Sequence, residues 1–587
     1  MAWRLRRATD EKASIGLREA VAGLAPVIKP YWKHLAGYIA VSAVIVAARV
    51  VVPLIEGALV DAITRASLDL LVYNLLLYLA FTSARSLGVY ARQVLNTYIG
   101  QSFIRDLRRL LYERIVGARL PAVRAEETGR LVSKVTNDVD TIGYVFTSDI
   151  INTFMDLSTM FFAAWAMVNL NLGLSLIVFS LVPPVLLVNV YFARKARRAY
   201  TKAREAIAKV MAKVEQGVSG AAVTKVFSQR KEYEKKEFRK AAYEYVESNV
   251  EAERAASGVG PATNIIAAVG MAAILFYGGL LVVEGSVTIG VLVAFISYLN
   301  GFFQPLQTLV FFYNTLQSTL AAAERVIGVL NLPQEDEGGD AVPLGPGTAA
   351  LREVVFGYEE GQAVLNGVTL DVEKGITVIA GPTGSGKSTL LKLVPRFYDP
   401  WSGSVEVDGR ENREYRLKAL RRYAVYVPQE PLIFSGTVLE NIVLFTDAER
   451  RDVEEIIDTL GLRGVFNTIP GGLDGRVEES GKNLSKGQRQ AISLVRALAA
   501  NPRILLLDEA TSSLDPETEA LVYRGLKRVV EERGITLAAV AHRLPAIAPL
   551  ADKIYVVSQG RVVEEGTHEE LVKRDGVYAR LWESQSA

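Results

Sequence analysis

The chain changes pattern partway along its length. Its first half alternates long apolar runs with charged stretches, and its last third alternates short apolar runs with amphipathic ones. A helix that crosses a bilayer needs about 20 mostly apolar residues. Six stretches qualify, near 35–60, 70–91, 146–168, 172–192, 262–283 and 289–312. Several exceed the usual length of helices buried in a water-soluble core, which argues against that alternative. Two of the connections are long, about 55 residues after the second stretch and about 70 after the fourth. Both connections keep apolar residues at helical spacing, as in Leu107, Leu110, Leu111 and Ile115, so they predict helices continuing well beyond the bilayer. Pro53 and the pair Pro183 and Pro184 predict bends, because proline removes an internal hydrogen bond.

Charge orients these helices. Arg4, Arg6, Arg7, Lys29 and Lys33 precede the first; Arg105, Arg108 and Arg109 follow the second; Arg194, Lys195 and Arg197 follow the fourth. The opposite turns are short and poor in basic residues: Asn169–Gly173 has none, and Glu284–Gly285 carries only an acid. Basic residues resist crossing, so both termini are expected in the cytosol, with the chain in the cytoplasmic (cell) membrane as a multi-pass protein. The basic, polar N-terminus is not followed by a short apolar stretch and cleavage site, so no signal peptide is expected. Arg49, Arg85 and Asp156 fall inside predicted spans. Such residues are expensive in hydrocarbon and predict a polar substrate path, or else structural pairing within the bundle.

Composition narrows the chemistry. There is no cysteine, which excludes disulfides, zinc–thiolate sites and thiol catalysis. The three histidines (His34, His542 and His568) are too few and scattered for a histidine-rich metal site. A net charge of +2, from 66 basic and 64 acidic residues, gives no support to nucleic-acid binding.

Residues 334–347 are acidic and rich in Gly and Pro, and read as a linker between a membrane domain (1–333) and a second domain (348–587). In the second domain strand-like and helix-like runs alternate, which predicts an α/β layer fold. Its central motif is Gly381-Pro382-Thr383-Gly384-Ser385-Gly386-Lys387-Ser388, followed by Thr389. An apolar strand precedes it and a helix follows. Glycines let the backbone wrap phosphates, so this reads as the phosphate loop of a P-loop nucleoside triphosphatase. Lys387 is expected to reach the β- and γ-phosphates of ATP, and Ser388 to bind Mg²⁺. A second apolar run, Ile504-Leu505-Leu506-Leu507, delivers Asp508 to the Mg²⁺ region and places Glu509 to polarise an attacking water.

The order of further motifs resembles the ABC transporter family, specifically exporter-type half-transporters with membrane and ATPase domains fused. Leu484-Ser485-Lys486-Gly487-Gln488 is similar to the family's LSGGQ signature, with Lys486 in place of the first glycine of the pair. Gln429 matches the Q-loop, Ser512-Ser513-Leu514-Asp515 the D-loop, His542 the switch histidine and Tyr358 the aromatic A-loop. Thr128-Gly129-Arg130-Leu131 with Asn137-Asp138 resembles the first intracellular loop, and residues 219–227 the second. Glu479 resembles the exporter X-loop acid.

The resemblance implies a dimer in which two ATPs lie between two ATPase domains. Tyr358 would stack on adenine, Gln429 would contact Mg²⁺ or the water, and His542 would hold the γ-phosphate. Ser485, Lys486, Gly487 and Gln488 would cap the partner's nucleotide, and Asp515 would communicate across the dimer. The implied function is ATP-driven export or flipping of an amphipathic small molecule, lipid or peptide by alternating access. An ATP-gated channel or regulator, and an importer on the same scaffold, are the alternatives. The partner is a second half-transporter in a lipid bilayer. Glu509 and His542 favour a homodimer, and a heterodimer stays open.

Overall fold

The computed structural model of the chain describes residues 15–145, 149–541 and 543–586. They form two units. The first comprises the chain up to Val116 together with Glu127–Leu332; the second comprises Gly117–Glu126 and everything from Pro333 onward.

The first unit is helical. Among the described residues, five helical stretches are long and apolar enough to cross a membrane, and Ile289–Leu299 is a shorter apolar helix. The first two helices, Trp32–Thr64 and Leu68–Val116, extend well past a bilayer's thickness. The helix Trp32–Thr64 runs unbroken through Pro53. The fourth stretch is interrupted at Leu181, between Leu172–Ser180 and Val182–Ser219. Pro183 and Pro184 thus fall in the first turn of a new helix, where a missing N–H leaves nothing unpaired. The third helix is Ile150–Leu170, and residues 146–148, where the sequence starts it, lie outside the described residues.

Two features tie the bundle together. Gly57 and Gly290 let two helices touch through their backbones: a Cβ on Gly57 would come within 2.4 Å of the Gly290 carbonyl. Beside them Asp61 accepts hydrogen bonds from the Thr288 hydroxyl (2.7 Å) and the Gly290 N–H (2.8 Å). Further along, Arg325 forks onto both oxygens of buried Asp138 at 2.6 and 2.8 Å.

The second unit holds twelve strands: β1 Ala349–Phe356, β2 Leu365–Val372, β3 Gly375–Ala380, β4 Ser402–Val407, β5 Arg410–Glu411, β6 Ala424–Val427, β7 Gly436–Thr437, β8 Arg476–Val477, β9 Ile504–Asp508, β10 Thr536–Val540, β11 Lys553–Ser558 and β12 Arg561–Gly566. The main sheet runs in the order β12-β11-β3-β10-β9-β6, parallel throughout except for the edge strand β12. An antiparallel sheet, β2-β1-β4-β5, flanks it. Strands β9 and β10 are buried at every residue. Leu505 and Leu507 enter one core while Ile504 and Leu506 enter the other, because alternate side chains leave opposite faces. Burial on both faces explains why these strands read as unbroken apolar runs.

Residues 334–347 contain no regular element, yet they are pinned to the unit. Gln334 bridges to Ala118, Gly338 to Arg416 and Ala341 to Tyr415, and Glu335 forms a two-bond ion pair with Arg421 at 2.7 Å. The short helix Leu120–Arg124 belongs to this unit through the same region: Arg119 N–H donates to the Pro333 carbonyl, and Leu120 packs on the core.

Candidate functional site

Parallel strands end on the same side of a sheet, and residues just beyond their carboxyl ends converge there. Strand β3 ends at Ala380 and leads into the glycine-rich loop; β6 leads to Gln429; β9 ends at Asp508. The loop needs its glycines. Gly381, Gly384 and Gly386 all have φ between +81° and +145°. A Cβ on Gly386 would also press to 2.7 Å against Leu365, so only glycine fits.

The helix Lys387–Leu393 starts directly after this loop. Lys387 is buried and folds back, its ammonium donating to the Gly381 and Pro382 carbonyls at 2.8 Å each. Burial lowers its pKa, while the neighbouring Glu509 and Asp508 oppose the shift. The Ser385 hydroxyl is buried in the same loop with no hydrogen-bond partner among the described residues. A cradle of turned backbone with an unused hydroxyl and a cation fits a polyphosphate.

Asp508 is held at both oxygens. Ser388 Oγ donates to one at 2.6 Å, and Tyr426 Oη donates to the other at 2.7 Å. Burial and the carboxylate together push the Tyr426 phenol pKa strongly upward, so it stays a donor. No group of three or more His, Asp and Glu gathers among the described residues. A hydroxyl with one carboxylate is nonetheless the protein share that Mg²⁺ takes when substrate phosphates complete its octahedron.

Glu509 follows at once, in a left-handed backbone conformation (φ +52°) that non-glycine residues seldom adopt. Its carboxylate accepts a 2.5 Å hydrogen bond from the Gln429 amide. Beneath both lies Gln490, a buried residue absent from the sequence-based site. Its amide N–H₂ faces the carbonyls of Gln429 (3.3 Å) and Glu509 (3.4 Å) and the Ser512 hydroxyl (3.3 Å). Its amide oxygen accepts from the Ser513 N–H at 2.8 Å. One side chain thus fastens two loops, the one after β6 and the one after β9, that the sequence presents as separate motifs.

The signature residues occupy a helix start. Ser485 caps the helix Lys486–Ala499, accepting from the Gln488 N–H, while the Gln488 side chain accepts from the Ser485 N–H at 2.8 Å. Lys486 stands at the first helical position. Gly487 packs against the Ser513 carbonyl, which a Cβ would meet at 3.1 Å. Asp515 caps the next helix, Pro516–Arg533, through the Thr518 N–H at 2.9 Å, and these N–H bonds hold its carboxyl below the usual range.

Tyr358 is half-exposed beside the loop. Its hydroxyl is 3.1 Å from Thr389 Oγ1, and its ring meets Phe356 and Tyr398 edge-on at 5.3 and 5.2 Å. Of the sequence-predicted site residues, the structure thus gathers Gly381, Pro382, Thr383, Gly384, Ser385, Gly386, Lys387, Ser388, Thr389, Gln429, Asp508 and Glu509 at the carboxyl ends of the parallel strands. His542 lies outside the described residues.

Apolar helices of membrane-crossing length fused to a P-loop α/β unit define a nucleotide-driven membrane protein. The chain belongs to the ABC transporter family. Residues 35–306 match the family model described as ABC transporter transmembrane region, and residues 365–512 the one described as ABC transporter. A fatty acid ABC transporter ATP-binding/permease protein of Mycobacterium bovis is 34% identical over 86% of this chain and 80% of its own length. An ATP-dependent lipid A-core flippase of Desulfotalea psychrophila is 32% identical over 87% of this chain and 89% of its own. Among solved structures, a bacterial Atm1-family ABC exporter with ATP bound superposes with a TM-score of 0.75 at 27% identity, covering 95% of this chain and 99% of that one. The chain is an exporter-type ABC transporter whose ATP hydrolysis is coupled to transport across a membrane.

Proposed function

We propose that two copies of this chain form an exporter or flippase of an amphipathic molecule in the cell membrane, with both termini cytosolic. The observation that carries this reading is the pair of contacts at the ends of β6 and β9. Ser388 is bonded to Asp508, and Gln429 to Glu509, at the carboxyl ends of these strands, which supports reading them as Mg²⁺ ligands and a base.

In this reading Mg²⁺, when bound, neutralises phosphate charge. Ser388, Asp508 and Gln429 would hold it. The loop from Gly381 to Thr389 wraps the phosphates, and Lys387 exchanges its two carbonyl partners for phosphate oxygens. Tyr358 stacks on adenine. Glu509 takes the proton that water loses on attack, with Gln429 orienting its carboxylate. His542 holds the γ-phosphate. Ser485, Lys486, Gly487 and Gln488 face the partner's nucleotide from a helix N-terminus, whose dipole favours anions. Asp515, at the neighbouring helix cap, responds to the partner.

ATP joins two surfaces that each supply part of its cradle, and hydrolysis releases them. The membrane unit then has two states whose balance nucleotide shifts. The tip at Ala221–Val226, with Val223, Val226 and Phe227 exposed, supports a contact made to another chain. Relatives named for fatty acid and lipid A-core substrates support a lipid-like cargo.

Purified protein in proteoliposomes tests this. ATP hydrolysis is expected in the wild type. In Glu509→Gln it should fall at least about a hundredfold, with ATP binding retained and transport lost. Steady transport by Glu509→Gln would refute coupling to hydrolysis. A stable monomer without ATPase activity, seen by mass measurement in detergent, would refute the homodimer.

A further inference from the structure

Glu519 is a buried carboxylate that the mechanism above does not use. It lies in the first turn of the helix Pro516–Arg533, where its N–H donates to the Asp515 carbonyl at 2.9 Å. A buried charge is tolerated where it is paired and hydrogen-bonded. One Glu519 oxygen accepts from the Thr511 hydroxyl at 2.7 Å, and the other lies 3.5 Å from the Arg543 guanidinium. The Thr511 oxygen is also 2.8 Å from the Tyr523 hydroxyl. Threonine has a single hydroxyl hydrogen and gives it to the carboxylate, so Tyr523 is the donor to Thr511. Burial pushes the Tyr523 phenol pKa up, which keeps that proton in place. The relay from Tyr523 through Thr511 to Glu519 therefore runs in one direction, and Arg543 closes it with the opposite charge.

Thr511 stands two residues after Glu509, whose backbone has a φ of +52°. A non-glycine residue holds that conformation where its surroundings over-determine it. Some of the holds are local. The Glu509 carbonyl accepts from the Ser512 N–H at 3.2 Å, and the Thr511 carbonyl from the Leu514 N–H at 2.9 Å. Others reach across the sheet. The Glu509 N–H donates to the Val540 carbonyl, at the end of β10, at 3.0 Å. Arg543 stands three residues beyond Val540, just before the short helix Leu544–Ile547. One stretch of chain after β10 thus grips the Glu509 turn twice, once through backbone and once through Glu519 and Thr511.

Building on the reading of Glu509 as the base, we infer that Glu519 is a positioning residue for ATP hydrolysis, holding through Thr511 and Arg543 the turn that aims the Glu509 carboxylate. The contacts form a ring: Glu509 to Val540, along the chain to Arg543, across to Glu519, and through Thr511 back to Glu509. Opening the ring at Glu519 or Thr511 frees the turn to relax toward commoner backbone angles, and the carboxylate loses its direction. Glu519 also follows Asp515 by one helical turn, so a shift of that helix end reaches the base through Thr511. Acting at one remove, Glu519 serves the rate of the chemical step and not the affinity for nucleotide.

Full-length protein in nanodiscs, given Mg²⁺ and radiolabelled ATP, is the test. Two quantities are read together, the single-turnover hydrolysis rate and the Kd for ATP. Glu519→Gln keeps an acceptor for Thr511 but drops the charge that pairs with Arg543. Its rate should fall about tenfold while Kd stays within about twofold. Thr511→Val removes the hydroxyl and should lose about as much, whereas Thr511→Ser should return to within about twofold of the wild type. The decisive arm is the Glu509→Gln background. A group that works by aiming Glu509 has nothing left to aim there, so adding Glu519→Gln should change the residual rate by less than about twofold. A merely structural ion pair would instead multiply the two losses. The inference is overturned if Glu519→Gln and Thr511→Val hydrolyse at the wild-type rate, if their losses persist at full size in the Glu509→Gln background, or if Kd worsens as much as the rate falls. Should Glu519→Gln fail to fold, the Thr511 variants and their Glu509→Gln doubles decide alone. Wild-type hydrolysis by Glu509→Gln defeats the parent reading of the base. An inactive Glu509→Gln beside normal Glu519 and Thr511 variants defeats the positioning role alone.

Discussion

The two units treat polar groups in opposite ways. Around the phosphate loop, the polar side chains are largely held by internal hydrogen bonds: Lys387 to carbonyls, Ser388 and Tyr426 to Asp508, Gln429 to Glu509, and Gln490 to two loops. Among the membrane helices, Arg85 is bonded to nothing described, and Arg92 has only neutral partners. Apolar surface is inverted too. The nucleotide unit hides its leucines and valines in two cores, whereas Leu87, Phe161, Leu187 and Phe276 point outward from the membrane unit. The site around the phosphate loop is preassembled by exchangeable internal bonds.

Substitutions can break this contrast or sharpen it. The largest effect is expected at the hub. Gln490→Ala strips partners from buried carbonyls and an N–H, so the nucleotide unit should lose about 3 kcal/mol of stability. The check is the thermal midpoint of the purified protein, and an unchanged midpoint would dissolve the idea of a saturated network. Lys387→Ala comes next. Losing a charge-assisted donor should raise the Kd for ATP about 30-fold, measured with a fluorescent nucleotide. Tyr426→Phe removes one hydroxyl while keeping the ring, and is expected to cost about 1 kcal/mol of order at Asp508. A few-fold rise in the Mg²⁺ needed for half-maximal nucleotide binding would report it, with Mg²⁺-free nucleotide binding unaffected. At the far end, Arg85→Gln should leave stability within about 0.5 kcal/mol, since no bond is broken. A large loss there would show Arg85 to be structural and erase the contrast.

The parts of this arrangement differ in how they show in the sequence. The glycine-rich loop, Lys387 and Ser388 lie within one short segment, and their flanking strand and helix are equally local. Tyr426 and Gln490 carry no such mark. Their partners are 82 and 61 residues away, joined only because β6 pairs with β9 and the helix Lys486–Ala499 packs beneath. Arg92 escapes for a similar reason: it lies one residue past the apolar run read as the second span, and its contact is 60 residues distant. The turn at Leu181 follows from steric rules for proline, yet the same rules do not break the helix at Pro53, which lies inside Trp32–Thr64. Composition marks residues 334–347 as a connection. It gives no sign of the bridges that hold them, which reach as far as Ala118.

The helix Leu68–Val116 carries Arg85 and Arg92 through 49 residues without a proline. Such a rod is about 74 Å long, and pivoting it by about 5° swings its tip by about 6 Å. A stiff arm of this kind converts a slight rocking at one extremity into a displacement of several ångströms at the other, with no need for any residue along it to unfold.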